Sequence, residues 1–404
     1  MSSEIGTEIG RRNAIKLCLG AFAAGPSLAS AARAQVLDKE EARKILYPAP
    51  GLGGGGQLEV RMTLSAEHPD PDIRDVARRL KPFNPESWFS EWKRIAEKNE
   101  DLAGRFEAEG RKASAHEFYL RATDFYRNTV LYLPESDARL PLAYGKLSEM
   151  FEKSWKLAKP PFERISIPYE GHKLAAHFFP ARAAAGVRSP VVYNYGGADG
   201  ILLRGDAGSA PQFLSRGMSY LDVDGPGQGG TLRVMKLYAP PDSERVVKAV
   251  VDYLVTRPDV DPSRIGIHGS SMGGYSAPRA ATVEKRIAAV GVWSGAYSLR
   301  ENIWDYYPPI QERLRWLMGA KDFTDGRQRM GEFTMEGRAK QIECPMLVGY
   351  SKDDRVMDPR GALKLYEEAT NSKREMLDGV GHGEKKFEVR TYIADWFARQ
   401  FKTL

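Results

Sequence analysis

From about Pro71 to Lys159 the apolar residues recur at three- and four-residue steps, the spacing of one helix face after another. Ala115, Phe118, Ala122, Phe125 and Thr129 form such a face, and Ser114-Ala-His-Glu117 ahead of them has the spacing of a capping box. From Phe162 the texture changes. Short apolar, β-branched runs (Ile165 to Tyr169, Ala175 to Phe179, Val191 to Tyr195, Ser219 to Val223) alternate with helical or Gly/Pro-rich stretches. That alternation predicts an α/β fold, with a mostly parallel sheet and helices on both faces, preceded by a helical region. Residues 300–338, rich in Trp, Tyr, Arg and Met between two strands, read as a second piece of lid.

Composition adds size and compartment. At 404 residues and 42% hydrophobic, the chain is long enough for a large core and more than one domain. The net charge of +6 is modest and no Lys/Arg block resembles a nucleic-acid footprint, so the positive charge reads as solvated surface and no nucleic-acid partner is expected. Arg11-Arg12 with Lys16, a weakly apolar Leu17 to Ala24, Pro26 and Ala32-Arg33-Ala34 read as a twin-arginine leader cleaved near Ala34. The apolar run is too short to span a bilayer. The expected product is periplasmic or secreted, and its partner during export is the twin-arginine machinery. Cys18 falls in the leader and Cys344 at a strand edge, so no disulfide is expected in the mature chain. The organisation this implies is a leader at 1–34, a flexible Gly-rich segment at 35–70, a helical cap at 71–160 and a catalytic domain at 161–404.

The chemistry is concentrated in Arg264-Ile-Gly-Ile-His-Gly-Ser-Ser271-Met-Gly-Gly274. A strand stops at a G-x-S-x-G pattern with Ser271 in its centre, and a helix-compatible stretch follows. This is the setting of a nucleophile elbow, where a tight strand-to-helix turn exposes a serine Oγ. Such a serine needs an acid and then a His, in that chain order. The strand Pro345 to Gly349 runs into a loop with Asp353, Asp354 and Asp358. Asp354, in Asp-x-Val after a strand-end Gly, is the expected acid and Asp353 the runner-up, while Asp358 suits the cap of a helix opened by Pro359. Of six His residues only His382, in Gly379-Val-Gly-His382-Gly383, lies beyond the acid. Oxyanion donors are expected from the backbone N–H of Met272 and from Gly197 or Ala198, after the strand Pro190 to Tyr195. Gly51 to Gly56 and Gly225 to Gly230 both satisfy G-x-G-x-x-G, yet the first lacks a preceding strand and the second a following helix start, so both read as loops. No cofactor or metal site is expected.

Four motifs in order, Gly-Gly-x-Asp-Gly at 196–200, Asp-Gly-Pro-Gly-Gln-Gly at 224–229, Gly-Ser-Ser-Met-Gly-Gly at 269–274 and the helical region ahead of them, resemble the FrsA-like α/β-hydrolases over roughly residues 70–404. The resemblance implies an α/β-hydrolase fold under a helical cap, and hydrolysis of a carbon–carbon bond beside a ketone or of an ester. It also implies an acidic residue after the third strand, a place that Asp199 fills. An Asx-turn at Asp199 is the bland alternative. An aromatic-rich cap, with Tyr126 and Tyr132 as candidate pocket residues, points to a moderately large apolar or aryl substrate. Acyl transfer or plain ester hydrolysis by the same triad, a prolyl-peptidase-like activity and a non-catalytic binding module are the competing readings. A cap of this size is also a common dimer surface, so a homodimer is among the expectations.

Overall fold

The structure, a computed structural model, describes residues 66, 68–81, 84–182, 186–379, 381–382 and 387–403. The leader, its cleavage site and the Gly51 to Gly56 spacer lie outside the described residues.

Among the described residues four helices come first: α1 (Pro71–Arg79), α2 (Pro85–Ala108), α3 (Lys112–Thr129) and α4 (Arg139–Leu157). The Asp70 and Asn84 side chains cap α1 and α2, each followed by a Pro at the first helical position, where the missing N–H costs nothing. Helix α3 begins at Lys112, so Ser114 caps nothing and the capping box is not formed. The chain leaves α2 through Gly110 at φ +75° and the Ala115 N–H already bonds Arg111, so the helix is under way before Ser114. Its buried face carries Ala115, Ala122, Phe125 and Thr129 as expected, with Tyr119, Thr123 and Tyr126 beside them. Trp88 and Trp92 of α2 pack against this face, and the Trp88 indole donates to the Asn128 carbonyl at 2.9 Å.

Eight strands follow: β1 (Glu163–Tyr169), β2 (His172–Phe179), β3 (Ser189–Tyr195), β4 (Ser219–Val223), β5 (Val260–Ser270), β6 (Ile287–Trp293), β7 (Met346–Ser351) and β8 (Arg374–Gly379). They form one sheet in the order β1-β2-β4-β3-β5-β6-β7-β8. Strands β1 and β2 pair antiparallel, as do β2 and β4, and every later pairing is parallel. The α-helices between them are α5 (Ala210–Leu214), α6 (Gly229–Arg233), α7 (Glu244–Leu254), α8 (Gly273–Ala281), α9 (Gln311–Leu317), α10 (Phe323–Met330) and α11 (Pro359–Glu368), and α12 (Phe387–Phe401) follows β8. The short α6 is a correction, since a helical turn does start within the Gly225 to Gly230 stretch, at Gly229.

Parallel pairing decides where chemistry can occur. Tyr195 pairs with Gly269, Ser270 with Trp293, Trp293 with Gly349 and Ser351 with Gly379, so five strands end along one edge. The loops after them therefore emerge side by side, the usual ligand edge of an open α/β sheet. Trp293 lies flat across that edge. A Cβ on Gly349 or Gly379 would come within 2.3 Å of its ring, so both positions accept only glycine. The helical layer reaches the same edge, where the Asp124 carboxylate accepts from the Gly205 N–H at 2.8 Å and Tyr238 donates to Glu135 at 2.9 Å.

Candidate active site

Ser271 stands between β5 and α8 with φ +59°, a left-handed conformation that costs a non-glycine residue about 1–2 kcal/mol. Its neighbours explain why the turn closes so tightly. A Cβ on Gly269 would lie 2.0 Å from the Gly273 carbonyl oxygen, and one on Gly273 would lie 2.0 Å from that of Tyr195. The start of α8 is thus pressed against the end of β3, which brings the Gly196-Gly197 loop to the serine. A Cβ built on Gly197 would touch the Ser271 Cβ at 3.4 Å. The Ser271 N–H bonds the Trp293 carbonyl at 3.1 Å, fixing the elbow to β6.

His382 Nε2 lies 3.0 Å from Ser271 Oγ, and its Nδ1 lies 2.9 and 3.1 Å from the two Asp354 oxygens. Asp354 is held from all sides. Its Oδ1 also accepts the N–H groups of Val356 and Met357 at 2.9 Å, and its Oδ2 accepts the Ser294 hydroxyl at 2.8 Å. Burial works to raise this carboxyl, but the His382 contact and the two backbone donors hold it below the usual carboxylate range. An ionised Asp354 against Nδ1 selects the tautomer with its proton there, leaving Nε2 as an acceptor toward Ser271.

Asp353 has a different place. Its Oδ1 accepts the Gly381 N–H at 2.8 Å and the Ser351 hydroxyl, so it ties down the loop that presents His382. Asp358 caps α11, accepting from the Arg360 N–H at 3.0 Å. Met272 is the N-cap residue of α8, directly after the serine, and its N–H belongs to the positive end of that helix.

The loop opposite is built by residues that pattern reading passed over. Gln228 Nε2 donates to the carbonyls of Gly196 and Gly197 at 2.6 and 3.1 Å, while its Oε1 accepts the Gly225 N–H at 3.2 Å. The Gly200 N–H closes a turn onto the Gly197 carbonyl at 3.0 Å, with Ala198 and Asp199 at its corner. Asp224 accepts the N–H groups of Leu202 and Gly230 at 2.8 and 2.9 Å, and burial raises its pKa to about 6. Asp199 pairs with Arg313 Nε of α9 at 3.2 Å, and the same guanidinium donates to the Leu131 carbonyl of the helical layer. Tyr132, next in the chain, stands edge-on to Trp88 at 5.2 Å. Tyr126 is not brought here, because its hydroxyl donates to Glu100 at 2.6 Å between α2 and α3. Gln228 had a signal, its motif at 224–229. Ser294 and Arg313 had none.

The 20-hydroxy-prefusarin hydrolase FUS2 of Gibberella moniliformis is 35% identical over 331 residues, covering 70% of this chain and 78% of that protein. The α/β hydrolase xenA of Xenoacremonium sinensis is 32% identical over 378 residues, 80% of this chain and 86% of that one. The chain belongs to this family of α/β-hydrolases. The solved structure of 2,6-dihydroxy-pseudo-oxynicotine hydrolase shares its fold, with a TM-score of 0.69 over 84% of this chain and 94% of the other at 23% identity. Residues 207–403 match the prolyl oligopeptidase family. That match stops at the sheet domain of this hydrolase, and α1 to α4 ahead of the sheet are helices, not propeller blades.

Proposed function

We propose that this hydrolase works through Ser271, His382 and Asp354, and that it cleaves a carbon–carbon bond beside a ketone in a β-diketone-like substrate of apolar or aryl character. The observation that carries the reading is the 3.0 Å contact of His382 Nε2 with Ser271 Oγ, with Asp354 buried behind Nδ1. A neutral serine is a poor nucleophile until a base takes its proton, and this geometry supplies the base and its orienting carboxylate. Attack on the carbonyl generates an oxyanion for the N–H of Met272 and that of Gly197 or Ala198. His382 returns the proton to the leaving group, and water then releases the acyl group from Ser271 by the same relay.

Kinship with the FrsA-like hydrolases supports the carbon–carbon reading, as does the charged pair Asp199–Arg313 two residues along from Gly197. Leaving carbon needs its charge spread onto a second carbonyl, whereas a leaving alkoxide needs one proton. Ester hydrolysis is the second reading, since the same three residues suffice for it. Ser271→Ala should lower turnover of both an aryl 1,3-diketone and a p-nitrophenyl ester by roughly 10⁴-fold or more and abolish labelling by a fluorophosphonate. Undiminished turnover in that variant rejects the nucleophile. Asp199→Asn should impair the diketone about tenfold more than the ester. Equal losses on the two substrates would assign Asp199 to the architecture of its turn.

A further inference from the structure

The observation is a buried cation, Arg233, two of whose donors meet no acceptor among the described residues. Arg233, at the end of α6, is only 6% exposed. Its Nη1 makes one long bond, 3.3 Å, to the Gly229 carbonyl of its own helix. Among the described residues nothing accepts from its Nε or Nη2, nor from the Nε1 of Trp316 beside it. The Arg233 guanidinium lies 5.4 Å from the Trp316 ring centre, and that of Arg313, itself 7% exposed, lies 5.1 Å from the same ring. Two like charges are thus gathered on one indole out of water, where an unmet charged donor costs more than any other polar group. Burial and the Arg313 charge together pull the Arg233 pKa down to about 9.

This cluster is fastened to the Ser271 loop. The Gly229 N–H at the root of α6 donates to the Gly200 carbonyl at 2.8 Å, the Gly200 N–H to that of Gly197 at 3.0 Å, and Gly197 abuts Ser271. Arg313 grips Asp199 in the same turn. We propose that Arg233, with Arg313 and Trp316, forms the subsite for the second carbonyl oxygen of a 1,3-diketone and holds the enolate that leaves. The proposal rests on Ser271 acting as the nucleophile. In that step Ser271 Oγ bonds the first carbonyl carbon and its proton passes to His382. The carbon–carbon bond then breaks, its electron pair delocalising onto the second oxygen as an enolate. His382 protonates the enolate at carbon, and water hydrolyses the acyl-serine, so diketone and water give a carboxylic acid and a methyl ketone. The leaving oxygen of an ester is bonded to the acyl carbon itself, two bonds nearer Ser271 than the enolate oxygen, so it falls short of the subsite, which is idle for an ester.

The test is steady-state kinetics of wild type, Arg233→Met and Arg233→Lys on 1-phenyl-1,3-butanedione and on p-nitrophenyl acetate. The expected result for Arg233→Met is a fall of about tenfold or more in kcat/KM for the diketone, with the ester within about twofold. Arg233→Lys keeps the charge but loses the planar fork, should also lose on the diketone alone, and carries the test if the Met variant does not fold. Equal losses on both substrates, or an unchanged diketone rate, overturn the subsite. In the Ser271→Ala background the bound diketone should show enolate absorbance in a difference spectrum, and Arg233→Met should erase it. If wild type turns over the ester but not the diketone, the carbon–carbon reading falls, while that spectrum still decides whether the subsite exists.

Discussion

The two sides of the Ser271 elbow treat buried polar groups in opposite ways. On the Asp354 side each carboxylate oxygen has its donors from His382, Ser294, Val356 and Met357, and the residue needs nothing more. On the Arg233 side, the Nε and Nη2 donors have no acceptor among the described residues. A closed network keeps one geometry through every turnover, which suits groups that must hold a proton ready. An open set of buried donors is incomplete without an added acceptor, which suits groups that recognise one. Between the two sides runs the Gly196 to Gly200 loop, stapled by Gln228.

The contrast can be broken from its larger end. Asp354→Asn keeps the shape of the closed side but turns one acceptor into a donor, and should cost roughly 10³–10⁴-fold in kcat on diketone and ester alike. A loss confined to one substrate would mean the two sides are not separate machines. Gln228→Ala frees the Gly196 and Gly197 carbonyls and with them the aim of the proposed oxyanion donors. It should lower kcat on both substrates by tens of fold with little change in KM, whereas a KM effect alone would place Gln228 in substrate binding.

The smallest effect is one of stability. Asp224 beneath the loop has its pKa raised to about 6 from the ordinary 3.8. A raised acid favours the fold while it is protonated, so its contribution is complete below about pH 4 and is lost as pH rises through about 6. The size is on the order of 3 kcal/mol. Asp224→Asn, which stays neutral, should lack that decline when denaturant midpoints are measured from pH 4 to 7. An identical slope in variant and wild type would assign the decline to other groups.

Local chemistry explains how much of this was legible. Ser271 is marked by its glycines, because a Cβ at Gly269 or Gly273 would strike backbone at 2.0 Å, and a steric demand of that kind leaves a short pattern. The strand Ser219 to Val223 stands where its apolar run predicts, and the Asp358 cap follows from the Pro after it. Ser114 shows the opposite case, where a good capping pattern was overruled because Gly110 had already turned the chain into the helix. Tyr126 was one aromatic among many, and only packing against Glu100 separated it from the site.

By itself, then, the sequence determined the alternation that makes a parallel sheet, the elbow around Ser271, and the chain order in which Asp354 and His382 follow, 83 and 111 residues on. These depend on near neighbours or on order alone. What only the tertiary structure decided is every contact across the sheet edge: Ser294 on Asp354, Gln228 on the Gly196 loop, and Arg313 joining Asp199 to Leu131 over 182 residues of chain. No periodicity encodes such pairs, because each partner satisfies its own local rules, and the pairing arises only when parallel strands bring their ends together.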